Sequence, residues 1–141
     1  MSLASNLPKY AVMAVLVGGA AVLLLKLVGG GGGSPGVGKV NVKVPANLSV
    51  VAVEGKELFD ENCAVCHGEN AAGTDQGPSF IQSVYRPGHH SNQAFVLAAL
   101  TGVRAHHWQF GNMPKQPQVT QAQVLRITQY IRELQLANGI Q

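Results

Sequence analysis

Acidic residues are scarce in this sequence, and its first 45 positions contain none. The 141-residue chain has 7 acidic residues against 10 lysines and arginines. Four of the basic residues fall within the acid-free stretch: Lys9, Lys26, Lys39 and Lys43. Residues 46–141 are therefore close to neutral, and they contain no basic stripe with interleaved aromatic residues. This composition excludes nucleic acid as a binding partner.

Cysteine is scarcer still. The chain has two cysteines, and both lie in the segment Cys63-Ala64-Val65-Cys66-His67. No second cysteine pair could complete a zinc site, and the βαβ pattern of a thioredoxin-like redox motif is absent. The pattern C-x-x-C-H is the signature for attachment of a c-type haem. We expect the two thiols to add to the porphyrin vinyl groups and His67 to supply the proximal nitrogen ligand of the iron. No thiol is then left for a disulfide.

Residues 1–28 are predicted to form a transmembrane anchor that contacts membrane lipid. The uncharged run Tyr10–Leu25 is short for a span. With the flanking residues 8–9 and 26–28 it reaches about 31 Å, which matches the bilayer core if both lysines snorkel outward. A cleaved signal peptide is the alternative. A retained anchor is favoured because no Ala-x-Ala cleavage site follows the apolar run.

Residues 29–45 are predicted to be a flexible, Gly-rich linker. Five consecutive glycines followed by Ser34-Pro35-Gly36 cannot hold a packed element. The alternation of valine with polar residues over Val40–Val44 allows a short strand, although no partner for it is evident. The working domain is assigned to residues 46–141.

That domain is predicted to be all-α, since no convincing strand pattern occurs in it. A short amphipathic helix covers residues 54–62. A second covers residues 92–101, capped by Ser91 and ended by Gly102. A capping box, Thr120-x-x-Gln123, opens a third helix that runs to about residue 137. Four apolar residues of the third helix form a core-facing stripe: Val124, Ile127, Ile131 and Leu134.

A second iron ligand is predicted at Met113, within the turn Gly111-Asn112-Met113-Pro114. Glycine before and proline after this methionine suit a loop that brings a thioether to the face opposite His67. Met113 as ordinary core filling is the alternative. Four histidines could compete for the iron or form a copper or zinc site: His89, His90, His106 and His107.

Residues 54–137 resemble a class I monohaem cytochrome c. Besides the C-x-x-C-H and Gly-x-Met-Pro motifs, the match includes Gly55 and Phe59 on the first helix, Tyr130 on the last, and Gly77-Pro78. The resemblance implies a compact helical fold around one covalent haem c, in which the first and last helices cross. It also implies that the Pro78 carbonyl accepts a hydrogen bond from the His67 ring. Phe80 departs from the leucine that is usual two residues after that proline.

The resemblance further implies that Trp108 and either His106 or His107 bind a haem propionate. Such cytochromes use an indole N–H and nearby charged donors for this purpose. The alternative keeps Trp108 in the core and the histidines exposed. Both readings stay open.

With methionine and histidine as its protein ligands, the haem iron has all six positions filled and none open for a substrate. We therefore expect an electron-transfer protein and not an enzyme. The expected role is a membrane-tethered carrier between larger respiratory or photosynthetic complexes, which serve as electron donor and acceptor. One alternative is a fixed cytochrome c subunit of an oxidase or dehydrogenase, with the small residues 18–21 packed against partner helices. Another is a haem sensor or peroxidase-like protein with a labile Met113. The resemblance places the anchor in the bacterial inner membrane and the haem domain in the periplasm.

Overall fold

The computed structural model describes residues 39–141. The membrane segment predicted over residues 1–28, and the glycine run of the predicted linker, lie outside the described residues. Within residues 39–141, no helix combines the length and the apolarity needed to cross a membrane.

Helices dominate the described domain. The α-helices are α1 (Val50–Asn62), α2 (Ala64–His67), α3 (Asn92–Thr101) and α4 (Gln121–Ala137). Two 3-10 turns, Glu69–Ala71 and Ser83–Tyr85, lie in the connections. The extended pairing in the described residues is one isolated antiparallel bridge between Val103 and Met113. The prediction of a mainly helical domain is confirmed.

Helix α1 begins four residues earlier than the predicted residue 54. Ser49 provides the reason, because its hydroxyl accepts a hydrogen bond from the Ala52 backbone N–H at 3.2 Å and caps the helix. The same Ser49 donates from its Oγ (2.6 Å) and its backbone N–H (3.0 Å) to the carboxylate of Glu133 on α4. The start of α1 is therefore set by a partner 84 residues away.

Helices α3 and α4 have the predicted bounds, since local capping defines both. The Ser91 hydroxyl accepts from the Ala94 backbone N–H, and Gly102 ends α3 with a φ of +80°. On α4 the predicted capping box is present: the Thr120 hydroxyl accepts from the Gln123 backbone, and the Gln123 side chain accepts from the Thr120 backbone.

The core lies where α1 crosses α4. Gly55 permits the close approach, because a Cβ there would overlap the backbone carbonyl of Arg126. Beside this contact the rings of Phe59 and Tyr130 lie 5.7 Å apart, and both side chains are fully buried. Each large side chain of this kind stabilises the fold by about 1.5–3 kcal/mol. The predicted stripe of α4 is buried: Val124, Ile127, Ile131 and Leu134.

The segment that leads into α1 is attached to the domain. The Val40 N–H donates to the Ala72 carbonyl at 2.9 Å. Lys43 exchanges two backbone hydrogen bonds with the side chain of Asn138, at 2.9 and 2.8 Å. The strand considered for Val40–Val44 is wrong, since this segment forms none. The C-terminal end of the predicted linker also differs from a flexible chain, because these long-range hydrogen bonds hold it.

Candidate functional site

A cavity of about 470 Å³ collects the residues that the sequence singled out. Its lining is mainly apolar and comes from the α1–α2 junction, the Gly77–Phe80 loop, α3, α4 and the loop after α3. All six predicted site residues line it: Cys63, Cys66, His67, Pro78, Trp108 and Met113. Segments as far apart in sequence as residues 63 and 113 therefore meet around one space.

Helix α2 is a single turn, and it gathers the C-x-x-C-H residues. Cys63 lies between α1 and α2 and is the cap residue of both. Its carbonyl accepts hydrogen bonds from the backbone N–H groups of Cys66 (3.1 Å) and His67 (2.9 Å). Gly68 then turns the chain with a φ of +75°. The two thiols are not joined in a disulfide. One helical turn thus presents two sulfur atoms and an imidazole to the same cavity.

The imidazole of His67 is held by a hydrogen bond. Its Nδ1 donates to the Pro78 carbonyl at 2.9 Å, as the resemblance implied. Because Nδ1 carries the proton, Nε2 keeps a lone pair that can bind a metal. Burial lowers the pKa of His67 below its ordinary 6.5, against the opposing effect of the Pro78 hydrogen bond. The ring is therefore neutral, which is the form that ligates iron.

Phe80 contacts the proposed iron ligand His67 directly, which its position in the sequence did not predict. Its ring stacks on the His67 imidazole, with centroids 4.2 Å apart and planes inclined by 25°. It also makes edge-on contacts with Phe59, Tyr85 and Phe95. Phe80 therefore connects the imidazole to the aromatic core, and with the Pro78 carbonyl it restricts rotation of that ring.

The loop carrying Met113 is fixed through its backbone. Met113 and Val103 exchange two hydrogen bonds, at 2.9 and 3.0 Å. The Asn112 side chain accepts from the Ala105 N–H at 2.9 Å, which closes the loop between them. Gly102 lies against the Met113 carbonyl, where a Cβ would approach to 2.8 Å. The half-buried thioether of Met113 is thus held in the cavity wall by an element remote from His67.

Trp108 is engaged by a residue that sequence reasoning missed. Its indole N–H donates to the Tyr85 hydroxyl at 2.9 Å. Because the Tyr85 hydroxyl accepts this hydrogen bond, its own hydrogen remains available to a second acceptor. Tyr85 also lines the cavity, so a group bound there could be that acceptor. Burial raises the pKa of Tyr85 despite the opposing Trp108 hydrogen bond, so the phenol stays protonated. The only sequence signal was that Tyr85 is the lone aromatic residue between Phe80 and Phe95.

Helix α4 holds the Tyr85 loop in place. Arg132 donates to the Tyr85 carbonyl at 2.7 Å and also to the His90 carbonyl. The buried side chain of Gln135 donates to the carbonyls of Phe80 (2.9 Å) and Tyr85 (3.1 Å). The loop that supplies one wall of the cavity is consequently anchored to the core by side-chain donors.

The four remaining histidines lie together at one side of the cavity. His90 is half-buried, whereas His89, His106 and His107 are exposed. Three of the four also line the cavity: His90, His106 and His107. The structure therefore brings Trp108 and the two propionate candidates to the same wall, and it adds His90.

The donors of this cavity suit a covalently attached haem. Two thiols can form thioether bonds, a neutral imidazole and a thioether can ligate iron, and the apolar wall can enclose a porphyrin. Tyr85, Trp108 and the histidines supply the polar donors that two carboxylate side arms require. All of these residues except His89 line one cavity.

Comparison with known proteins agrees with the geometry. A family model described as Cytochrome c matches residues 52–135, which include most of α1, the C-x-x-C-H turn, the Met113 loop and most of α4. The Cbb3-type cytochrome c oxidase subunit FixP of Bradyrhizobium sp. (strain ORS 278) is 30% identical over 97 residues, or 65% of this chain. The matched region is 33% of that relative, so the chain spans about a third of its length.

Proposed function

This chain belongs to the cytochrome c family, whose members bind haem c covalently, and we propose that it is a membrane-tethered carrier of single electrons. One observation carries the electron-transfer part of the proposal: a single cavity is lined by Cys63, Cys66, His67 and Met113. Haem c, when bound there, supplies a one-electron couple between ferric and ferrous iron.

The roles proposed for the residues follow from their positions. Cys63 and Cys66 form the covalent attachment. His67 offers Nε2 to the iron, since its Nδ1 proton is donated to Pro78. Met113 offers its thioether, which favours a high reduction potential.

The remaining cavity residues control solvent and charge. The apolar wall would limit access of water to the iron. The Tyr85 hydroxyl, which accepts from the Trp108 N–H, would donate to a haem propionate, and His106 or His107, which line the same cavity, would assist. With His67 and Met113 as its ligands, the iron would have no position open for a substrate, and the domain would transfer electrons without catalysing a reaction of its own.

Placement in the bacterial inner membrane, with the haem domain in the periplasm, is part of the proposal. The apolar run of residues 10–25 between Lys9 and Lys26 supports a membrane anchor, and residues 29–39 supply a linker of glycine-rich composition. Alkaline carbonate extraction of membranes from expressing cells tests the anchor. We expect the full chain to stay with the lipid and a variant with two charges introduced into the apolar run to be released.

A fixed subunit of an oxidase complex is the second candidate. It is favoured by the similarity to FixP, a subunit of a cbb3-type cytochrome c oxidase. Purification in mild detergent separates the two candidates. A stable complex with oxidase subunits supports a fixed subunit, whereas isolation of the chain alone supports a tethered carrier.

The haem assignment is tested by changing the attachment and the ligands separately. Replacing both Cys63 and Cys66 by serine should release the haem to acid–acetone extraction, and a haem that stays attached would contradict the assignment. Met113→His should retain a six-coordinate low-spin haem at a lower potential, because imidazole stabilises ferric iron better than a thioether does. An unchanged spectrum and potential in Met113→Ala would show that another residue ligates the iron.

A further inference from the structure

Four of the five histidines of this chain form a cluster, and none of the four is a proposed ligand of the haem iron. They come from two loops, one carrying His89 and His90 and the other carrying His106 and His107. Ring centroids are 4.8 Å apart for His89–His90, 5.4 Å for His89–His107 and 5.2 Å for His90–His107. His106 is 4.3 Å from His107 and 6.2 Å from His90.

Three of these rings are arranged as a ligand set. His89, His90 and His107 each offer one nitrogen, and the three atoms lie within 4.8 Å of one another. Zn–N bonds of about 2.1 Å in a tetrahedral site place ligand nitrogens about 3.4 Å apart. His89 and His107 are exposed, so their side chains are free to rotate toward this spacing.

His90 already has the hydrogen bonding of a metal ligand. Its Nδ1 donates to the Val84 carbonyl at 2.7 Å, which leaves the Nε2 lone pair available. Metal-bound histidines almost always donate their other ring N–H to a carbonyl or carboxylate in this way. His90 is therefore oriented before any ion arrives.

The two loops are also fastened to each other and to the core. The Trp108 N–H donates to the Tyr85 hydroxyl, which joins the loop of His107 to the loop of His89 and His90. Arg132 donates to the His90 carbonyl, and the backbone N–H groups of His89 and His90 donate to the Arg86 carbonyl at 3.0 and 2.9 Å. A site on these loops loses little conformational entropy when it binds an ion.

The cluster contains no carboxylate from its own loops, since no acidic residue occurs between Asp75 and Glu133. Desolvation lowers the pKa of His107, with further lowering from the charges of His106, His90 and His89. With no carboxylate on these loops, imidazole nitrogens are the ligand atoms that this cluster offers to an ion. Cu²⁺ and Zn²⁺ are the common ions that prefer such ligands.

We propose that His89, His90 and His107 bind one divalent transition-metal ion of the imidazole-preferring class, Cu²⁺ or Zn²⁺, at the rim of the haem cavity. The fourth position is occupied by water. The ion is distinct from the haem iron, because these residues lie outside the proposed ligand pair His67 and Met113.

Zinc titration of the haem-loaded full chain tests the site. The protein is purified in detergent without a polyhistidine tag, treated with a chelator and titrated with Zn²⁺ by calorimetry near neutral pH. We expect one equivalent to bind, and His89→Gln or His107→Gln to weaken the affinity by at least about tenfold, the loss that even outer-shell changes produce. Both side chains are exposed, so these variants should fold.

His106→Gln is the matched control, because His106 belongs to the cluster but not to the set of three. It should bind Zn²⁺ with nearly the wild-type affinity. Lowering the pH below about 6 should weaken binding, since protons compete for the imidazoles. With Cu²⁺ in place of Zn²⁺, electron paramagnetic resonance should report nitrogen ligands.

Two results would overturn the proposal. One is the absence of stoichiometric binding in the wild type, or binding that His89→Gln and His107→Gln leave unchanged. The other is a change of the iron-ligand absorption bands in these variants, which would assign the histidines to the haem iron. The absorption spectrum of the haem is recorded in every titration, so loss of the haem itself is recognised separately.

Discussion

Gly55 on α1 lies directly against the backbone carbonyl of Arg126 on α4. A methyl group at Gly55 would overlap that oxygen and approach the carbonyl carbon to 2.5 Å, so the two helices would have to separate. We predict that Gly55→Ala destabilises the haem-loaded protein by about 1–3 kcal/mol or more, the cost of an overpacked core. Urea denaturation measures the effect. Gly88→Ala is the control, because nothing lies within 4 Å of a Cβ there; equal losses in both variants would contradict the close crossing.

Arg132 should contribute more to stability than Arg126, although both belong to α4. Arg132 donates to the carbonyls of Tyr85 and His90 and to the side chains of Asn92 and Gln135. Arg132→Met leaves the His90 carbonyl and the side-chain oxygen of the buried Gln135 without this donor, so we predict a loss of about 2–4 kcal/mol. Arg126→Met removes an exposed ion pair with Glu54 and should cost at most about 1 kcal/mol. Similar unfolding midpoints for the two variants would refute this assignment.

Glu133 should make the stability of the domain depend on acidity. Hydrogen bonds from Ser49 and Gln129 lower the pKa of Glu133 below its ordinary 4.5, although desolvation, the largest single effect, acts in the opposite direction. A depressed carboxyl pKa contributes stability that is complete above 4.5 and is lost as the pH falls through the folded-state pKa.

Glu133→Gln should therefore be less stable than the wild type near neutral pH, and the difference should shrink in acid. Unfolding free energies measured across the acid range check this. Glu57→Gln, at an exposed position of α1, is the control for removal of a carboxylate and should be about as stable as the wild type near neutral pH. A difference between Glu133→Gln and wild type that stays constant with pH would exclude the proposed role of the Ser49 contact.

Phe80→Leu restores the residue that is usual in class I cytochromes c, yet we predict a cost. The substitution removes the stack on His67 and the edge-on contacts with Phe59, Tyr85 and Phe95. We expect a destabilisation of about 1–2 kcal/mol with the iron ligands unchanged. Thermal unfolding and the absorption spectrum report the two effects independently. A variant as stable as the wild type would show that leucine fills the same space here.

Elements defined by neighbouring residues were predictable from the sequence. Ser91 with Gly102, and the capping box of Thr120 with Gln123, gave both ends of α3 and the start of α4 because each cap contacts residues within one helical turn. The start of α1 was missed because the first turn consists of valines 50, 51 and 53, whose exposed side chains give no amphipathic pattern. Its cap is supported by Glu133, which no local pattern reveals.

The same distinction applies to the cavity. The C-x-x-C-H turn is contiguous, and the Met113 turn carries a local signature, so both could be singled out in advance. The partnership of Tyr85 with Trp108 spans 23 positions, and the histidine cluster requires two loops to meet. Both arrangements depend on hydrogen bonds from Arg132 and Gln135 that hold the loop of Tyr85 against α4. The spacing of residues in the sequence does not reveal these hydrogen bonds.

The attachment of Val40 to Ala72 changes the polymer physics of the proposed tether. If the domain begins to hold the chain at Val40, residues 29–39 remain as the flexible segment predicted by composition, in place of residues 29–45. The root-mean-square span of a Gly-rich chain then falls from about 21–25 Å to about 17–20 Å. A shorter tether would hold the domain closer to its anchor, so an electron donor or acceptor embedded in the same membrane would have to be reached within this smaller span.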